Sequence, residues 1–370
     1  MDTRTVGVEE ELLVVDPATR IVTSRARQVL KTDAERGTHS IDQELFRHMV
    51  ELRTEPTVEI AEIVRQVVTS RREAQEAASA HDLAVAACAA APTGLDRLEV
   101  TPDSRYADMM VRYGHVARLG TTCGMHVHVW IASEEEGVAC LDRIAPWLPV
   151  LLAVSANSPY AEGSDTGYAS WRTQQWSTWP SAGPTEAFGS VAGYRRACER
   201  MIASGAARDT GMLYFDARLS ERHPTLEVRI LDVATDVEDT GLLAALVRGL
   251  VETAAEGSGE EASWRAEELR AARWRASRYG LADDLLDPVT HELRPAREVL
   301  ERLVEHVRTR VDRAGDSERV RNGVERVLSG TGATRQRAAY ERSGAVEGVV
   351  DDVVTRTHEA WASPEPAGRN

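Results

Sequence analysis

Lysine is almost absent. Lys31 is the single one in a chain of 370 residues, so arginine supplies nearly all of the 44 basic side chains. That excludes a phosphate-binding loop with its lysine, a kinase-type lysine on a strand, and Schiff-base chemistry anywhere but at Lys31. Net positive charge is missing too. The 44 basic against 59 acidic residues leave a net charge of −15, which argues against nonspecific nucleic-acid binding, since that needs a basic surface. An anionic small molecule is not excluded, because a few arginines and bound cations make one pocket positive on an acidic protein. No apolar run reads as long enough to cross a bilayer, so no membrane partner is expected. The first residues enter strand-like sequence without the basic and apolar regions of a secretory signal. The four cysteines, Cys88, Cys123, Cys140 and Cys198, are scattered and lack the paired spacing of a zinc site. A reduced, cytoplasmic protein is the expectation. Internal repeats and low-complexity segments are lacking as well.

What is present reads as a soluble globular chain, 42% hydrophobic and 28% charged. It is long enough to bury a large core, as one big domain or two smaller ones. Cys123-Gly124-Met125-His126-Val127-His128-Val129-Trp130-Ile131 reads as a buried strand in which His126 and His128 share a face. Gly7–Leu13, Met49–Arg53 and Thr225–Leu231 carry acidic or basic residues in the same alternating way. These four stretches are expected to line up in one sheet and to build one metal–phosphate site on its polar face.

Pro56-Thr57 opens a stretch with helical spacing to about Ala90, and a short strand is expected near Leu98–Val100. Ser133-Glu134-Glu135-Glu136 is a helix N-terminus with an acidic first turn, predicted to run towards Ser155. Asn157–Ser190 is rich in Ser, Gly, Pro and Trp; a loop of that length with Trp171, Trp176 and Trp179 points to function rather than disorder. Met212–Arg218 and Thr225–Val233 read as a hairpin. From Asp236 onward the pattern is almost wholly helical, with breaks near Gly257, Gly280, Pro288, Gly315 and Gly330. The expectation is one α+β domain: a sheet-bearing region over 1–235, a helical part over 236–362, and a tail over 363–370 that frays.

Glu9 and Glu11 share a face, with Glu10 on the other. Side-by-side carboxylates repel, and burial is costly without a cation; a divalent metal removes that cost, whereas an edge strand with a solvated acidic face needs none. Glu51 beside Arg53, and Glu227 beside Arg229, read either as internal ion pairs or as site residues. Paired strand histidines open many zinc hydrolase sites, so a zinc-dependent hydrolase using His126 and His128 is one reading, with His115, His223 or His291 completing it. The predominance of hard oxygen donors, Glu9, Glu11, Glu51 and Glu227, favours magnesium or manganese over zinc. Arginine then partners a transferred phosphoryl group, and Arg172, Arg218 and Arg229 lie in or beside these stretches.

Taken in order, Gly7-Val8-Glu9-Glu10-Glu11-Leu12, Gly124-Met125-His126-Val127-His128, Asp216-Ala217-Arg218 and Thr225-Leu226-Glu227-Val228-Arg229-Ile230-Leu231-Asp232 resemble the bacterial carboxylate–amine ligases of the glutamate–cysteine ligase type 2 group. Trp274–Leu281 and Gly332–Arg337 fit as well, and the resemblance spans roughly residues 5–340. Gly-Met-His-x-His is also similar to a strand of glutamine synthetase. The resemblance implies a curved, mostly antiparallel sheet of glutamine synthetase and guanido kinase type with flanking helices, ATP and Mg2+ (or Mn2+) as cofactors, small amino-acid substrates and a homodimer. It implies Glu9, Glu11, Glu51, His126 and Glu227 as metal ligands and His128 near the nucleotide phosphates. Arg229, with Arg218 and Arg172, would bind the γ-phosphate or a substrate carboxylate. An Asn ahead of Arg273-Trp274 is part of the pattern; here the position is Ala272. The implied activity is an ATP-dependent ligase that joins a carboxylate, such as the γ-carboxylate of glutamate, to an amine such as that of cysteine. A non-catalytic relative that senses nucleotide or amino acid is the remaining alternative.

Overall fold

A computed structural model describes residues 3–38, 40–257 and 264–362. Eight strands form one sheet: β1 (Val6–Asp16), β2 (Ile21–Val22), β3 (Ile41–Gln43), β4 (Met49–Arg53), β5 (Ala84–Ala86), β6 (Gly124–Trp130), β7 (Ala217–Leu219) and β8 (Thr225–Asp232). The order across the sheet is β3-β4-β1-β6-β8-β7, with β2 and β5 also pairing with β1, and all these pairings are antiparallel.

The alternation read from the sequence divides the sheet into two faces. Val8, Leu12, Val50, Val127 and Val228 are buried in the core. Against this core lies Val237–Ala255, a helix buried almost all round, packed on β1, β6 and the helices Ile60–Ser79, Glu134–Ile144 and Ala296–Ala314. Glu10 points into this helical layer. Its carboxylate accepts two bonds from Arg71, at 2.8 Å each, and one from Thr240 Oγ1 at 2.8 Å. Burial of that charge is tolerated because it is paired and fully hydrogen-bonded.

Several local expectations are corrected. The helix expected to reach Ala90 ends at Ser79; Asp82 adopts a φ of 56°, and Ala84–Ala86 pair with β1. Sheet pairing overrides the alanine-rich helix propensity there. The helix begun at Ser133, whose Oγ accepts from the Glu136 amide at 3.2 Å, is broken by a 3-10 turn at Ala145–Trp147, where Pro146 and Pro149 withdraw amide donors. By length and composition alone, Glu134–Ser155 is apolar enough to cross a membrane, contrary to the reading of the sequence; most of it is buried inside the protein as core. Within 157–190 lies a short helix, Trp171–Trp176. The first limb of the expected hairpin is shorter than read, Ala217–Leu219, preceded by a 3-10 turn at Thr210–Met212. Four of the breaks expected after Asp236 fall at helix ends: Gly257, Gly280, Gly315 and Gly330 each follow a helix directly or by one residue. Between Gly280 and Ala296 the chain forms a small hairpin, Leu285–Leu286 with Leu293–Arg294, where helix was expected. The tail 363–370 lies outside the described residues.

Candidate active site

Register brings the polar residues of five strands into one patch. Glu9 pairs across to Arg53 on one side and His126 on the other, Glu11 to Glu51, and Glu227 to both His128 and Arg218. A β-bulge interrupts the pairing of β8 with β6: Val228 faces Val127 and Leu231 faces Met125, so Arg229 and Ile230 together oppose His126. The extra residue returns Leu231 to the core while Glu227 and Arg229 keep the polar face. The patch floors a cavity of about 540 Å³, a size suited to a small ligand. Trp176, Trp179 and Tyr214 also line it.

Of the residues expected in the site, Glu9, Glu11, Glu51, His126 and Glu227 all line the cavity, as do His128, Arg218 and Arg229. Among the described residues, Glu9, His126 and Glu227 offer ligand atoms within 4.8 Å of one another. His126 Nδ1 lies 3.0 Å from Glu9 Oε2 and 3.9 Å from Glu227 Oε1. His128 Nε2 lies 3.7 Å from Glu9 Oε1, and its Nδ1 is 3.0 Å from Thr225 Oγ1. Glu11 accepts a bond from the Gly124 amide. Glu227 accepts from Arg218 Nε at 2.8 Å and from Arg229 Nη1. Arg53 at the rim pairs with Glu51 and with Glu9 at 3.5 Å.

The charge states separate into two groups. Burial opposes ionisation of Glu9, but the imidazoles of His126 and His128 outweigh it and hold the carboxyl well below the usual range. Glu227 is likewise penalised by burial, yet Arg229 and Arg218 pull it well below the ordinary value. Burial, helped by Arg229, lowers His126 below its usual value, which favours the neutral ring. Ionised carboxylates around a neutral imidazole are the protonation state a metal requires. Glu51 behaves oppositely: burial, then Glu44 and Glu9, raise it well above its usual value. Glu44 is pushed up to about 7 by burial and by Glu11 and Glu9. Crowded carboxylates that hold protons without a cation fit a divalent-cation site, and the oxygen-rich donor set suits magnesium or manganese.

Glu44 was missed by the sequence reading. It precedes Leu45 in the turn between β3 and β4, outside any alternating pattern, and lines the same cavity as Glu11 and Glu51. Arg172 is placed apart from the other residues expected in the site. It does not line the cavity; it is 2% exposed at the inner end of the patch, against Gly124, with its Cζ 5.6 Å from the Trp176 ring. The reason is geometric: the short helix Trp171–Trp176 aims it at the bulge, where Nη1 and Nη2 donate to the carbonyls of Ile230 and Arg229, each at 3.2 Å. Ala272, at the position where the family pattern has an Asn, packs with Trp264 and Leu269. The neighbouring Arg273 pairs with Asp216 at 3.1 Å. His223 lines the mouth of the cavity, but among the described residues no second histidine joins the Glu9–His126–Glu227 group.

Comparison with known proteins bears on family and fold. The family profile of glutamate-cysteine ligase family 2 (GCS2) matches residues 5–356. A Nocardioides sp. protein named "Putative glutamate--cysteine ligase 2-1" is 56% identical over 379 aligned positions, covering 99% of each chain. Among solved structures, glutamate–cysteine ligase from Francisella tularensis in complex with AMP superposes with a TM-score of 0.68 at 12% identity, over 99% of this chain and 91% of that one. A bifunctional glutathione synthetase from Pasteurella multocida gives a TM-score of 0.71 at 14% identity, over 97% of this chain and 53% of that one. At such identities the structural likeness speaks for the fold, an α+β architecture on a mostly antiparallel sheet. With a profile and a relative that each span nearly its whole length, the chain belongs to the glutamate–cysteine ligase family 2.

Proposed function

We propose that the protein is an ATP- and Mg2+-dependent carboxylate–amine ligase, with the γ-carboxylate of glutamate as donor and an amine such as that of cysteine as acceptor. The observation that carries the reading is the juxtaposition of Glu9, His126 and Glu227 with Arg229 and Arg218 in one cavity. Acceptor-only groups for a cation and guanidinium donors for phosphate oxygens are the two sets that phosphoryl transfer needs. The family membership and the names of its relatives supply glutamate and cysteine.

A carboxylate is a poor acyl donor, because an amine attacking it would have to expel an oxide. In the proposed route a donor carboxylate oxygen bonds to the γ-phosphorus of ATP as the bond to the β,γ-bridging oxygen breaks. The amine nitrogen then bonds to the acyl carbon, the carbon–oxygen bond to phosphate breaks, and the nitrogen loses a proton. Mg2+ would supply charge neutralisation between the phosphate oxygens and the protein. Glu9, Glu11, Glu51, His126 and Glu227, joined by Glu44, would hold it. Arg229 and Arg218 would orient and neutralise the transferred group, His128 would lie beside the phosphates, and Trp176, Trp179 and Tyr214, which line the cavity, would exclude water from the acyl phosphate. No protein nucleophile is required.

The test is phosphate release from ATP with Mg2+ across a matrix of donors and acceptors, with mass spectrometry of the products. Release that needs both a donor and an acceptor, with an amide product, is expected. Stoichiometric zinc in the purified protein together with hydrolysis of an amide or ester substrate would overturn the reading.

A further inference from the structure

Arg229 shares the polar face with Glu227 by simple alternation, but it sits at the break in β8, so its aim into the cavity depends on how that break is held. A bulge is a local break in the ladder with a bent strand. Here the break is held from two sides, by a continuation of the β8–β7 pairing and by Arg172 from outside the sheet. The Arg229 amide donates to the Asp216 carbonyl at 2.9 Å, and the Arg229 and Ile230 carbonyls accept from the two Nη groups of Arg172. Arg172 is itself fixed. Its amide donates to Ser158 Oγ at 3.1 Å, and Ser158 and Ser170 both donate to the buried Asp232 carboxylate at 2.8 Å. Asp232 closes β8, so the clamp and the strand it grips share an anchor. The guanidinium occupies the space over Gly124 where a side chain would stand: a Cβ on Gly124 would meet Arg172 Nη2 at 2.3 Å.

We propose that Arg172 is a positioning residue for the ligase reaction, locking the β8 bulge so that Arg229 is aimed into the cavity. The glycine at 124 is the space that lock requires. This rests on the ligase reading above. Arg172 does not line the cavity; it acts through the backbone of Arg229 and Ile230.

Four variants test it: Arg172→Ala, Arg172→Lys, Gly124→Ala, and Gly124→Ala combined with Arg172→Ala. Each is measured for kcat and KM for ATP in the donor- and acceptor-dependent assay, with the folded fraction fixed by urea denaturation. Misaiming one phosphate-binding arginine by about 1 Å costs about 100-fold in kcat. KM for ATP stays within about threefold, because the lost interaction belongs to the transition state. Gly124→Ala, whose methyl displaces the guanidinium, lowers kcat to a similar extent. Adding it to Arg172→Ala costs little more, since both act on one contact. Lysine, with a single ammonium in place of the two-pronged fork, recovers about tenfold of the loss. Wild-type kcat per folded molecule in Arg172→Ala or in Gly124→Ala would overturn the proposal. So would losses that multiply in the double variant, or a large rise in KM with kcat intact, which would make Arg172 a direct ligand contact. Wild-type protein without turnover on any pair would overturn the ligase reading and this proposal with it; wild-type turnover with the wrong variant pattern would overturn the proposal alone.

Discussion

Glu9, Glu10 and Glu11 are chemically alike and adjacent, yet replacing a carboxylate on one face of the sheet should do the opposite of replacing one on the other. Glu10 points into the helical layer, where Arg71 is fully buried and grips it with two bonds of 2.8 Å. Glu10→Ala strands that guanidinium, which keeps only the carbonyls of Ala234 and Thr235, each at 2.7 Å. Removing one partner of such a pair costs about 3–5 kcal/mol. With an unfolding entropy of about 2.1 cal/mol/K per residue, a chain of 370 residues loses roughly 4–6 °C in Tm for that cost. Turnover per folded molecule stays near wild type, because Glu10 faces away from the cavity. Glu51, on the cavity face across from Glu11, is predicted to respond in reverse. Burial and neighbouring carboxylates raise its pKa, so its charge destabilises the cation-free fold. Glu51→Gln therefore raises Tm in chelator while lowering turnover. The assay is a thermal melt in chelator beside a phosphate-release rate. A loss of turnover in Glu10→Ala at unchanged Tm, or equal destabilisation by both variants, would refute the assignment of faces.

Glu227→Gln should lower turnover by about 10³-fold, since it removes a charge shared by Arg218, Arg229 and the metal group; near-normal phosphate release would remove Glu227 from the site. Glu44, at about 7, and Glu51 hold protons in the folded state that the unfolded chain has lost above 4.5. Cation-free stability should therefore fall as pH rises from about 4.5 to about 7, and Mg2+ should flatten the slope; urea midpoints at the two ends of that window, with chelator or with Mg2+, check this, and a slope unaffected by Mg2+ would contradict it. His48 is fully buried with neither ring nitrogen hydrogen-bonded, and burial lowers it from 6.5 to about 4. Its folded-state pKa is depressed, so the stability it contributes is complete above 6.5 and is lost as pH falls towards 4, by on the order of 3 kcal/mol. His48→Leu should remove that part of the acid sensitivity in denaturation curves; an unchanged acid limb would count against it.

Period-two alternation made the site strands legible, because a polar residue at every second position of an apolar strand can only face one way. Register could not be read: nothing in Gly7–Leu13 says that Glu9 will meet His126. The bulge did leave a trace, since Ile230-Leu231 breaks the alternation that runs through Leu226, Val228 and Ile230. Only the three-dimensional fold shows that Arg172 holds the bulge from a segment some 58 residues away. Glu44 was illegible because a turn residue carries no periodic signal. Ala84–Ala86 misled because alanine favours helix until a sheet edge offers pairing.

The most direct test of the chemistry follows an oxygen atom. A donor labelled with 18O in its carboxylate is turned over with ATP, Mg2+ and an amine, and the nucleotide and phosphate are analysed by mass spectrometry. The acyl-phosphate route predicts one 18O in each released phosphate, none in the nucleotide, and ADP as the product. Label in AMP would show transfer of the adenylyl group instead, and unlabelled phosphate would show ATP hydrolysis uncoupled from the donor; either result would contradict the proposed ligase mechanism.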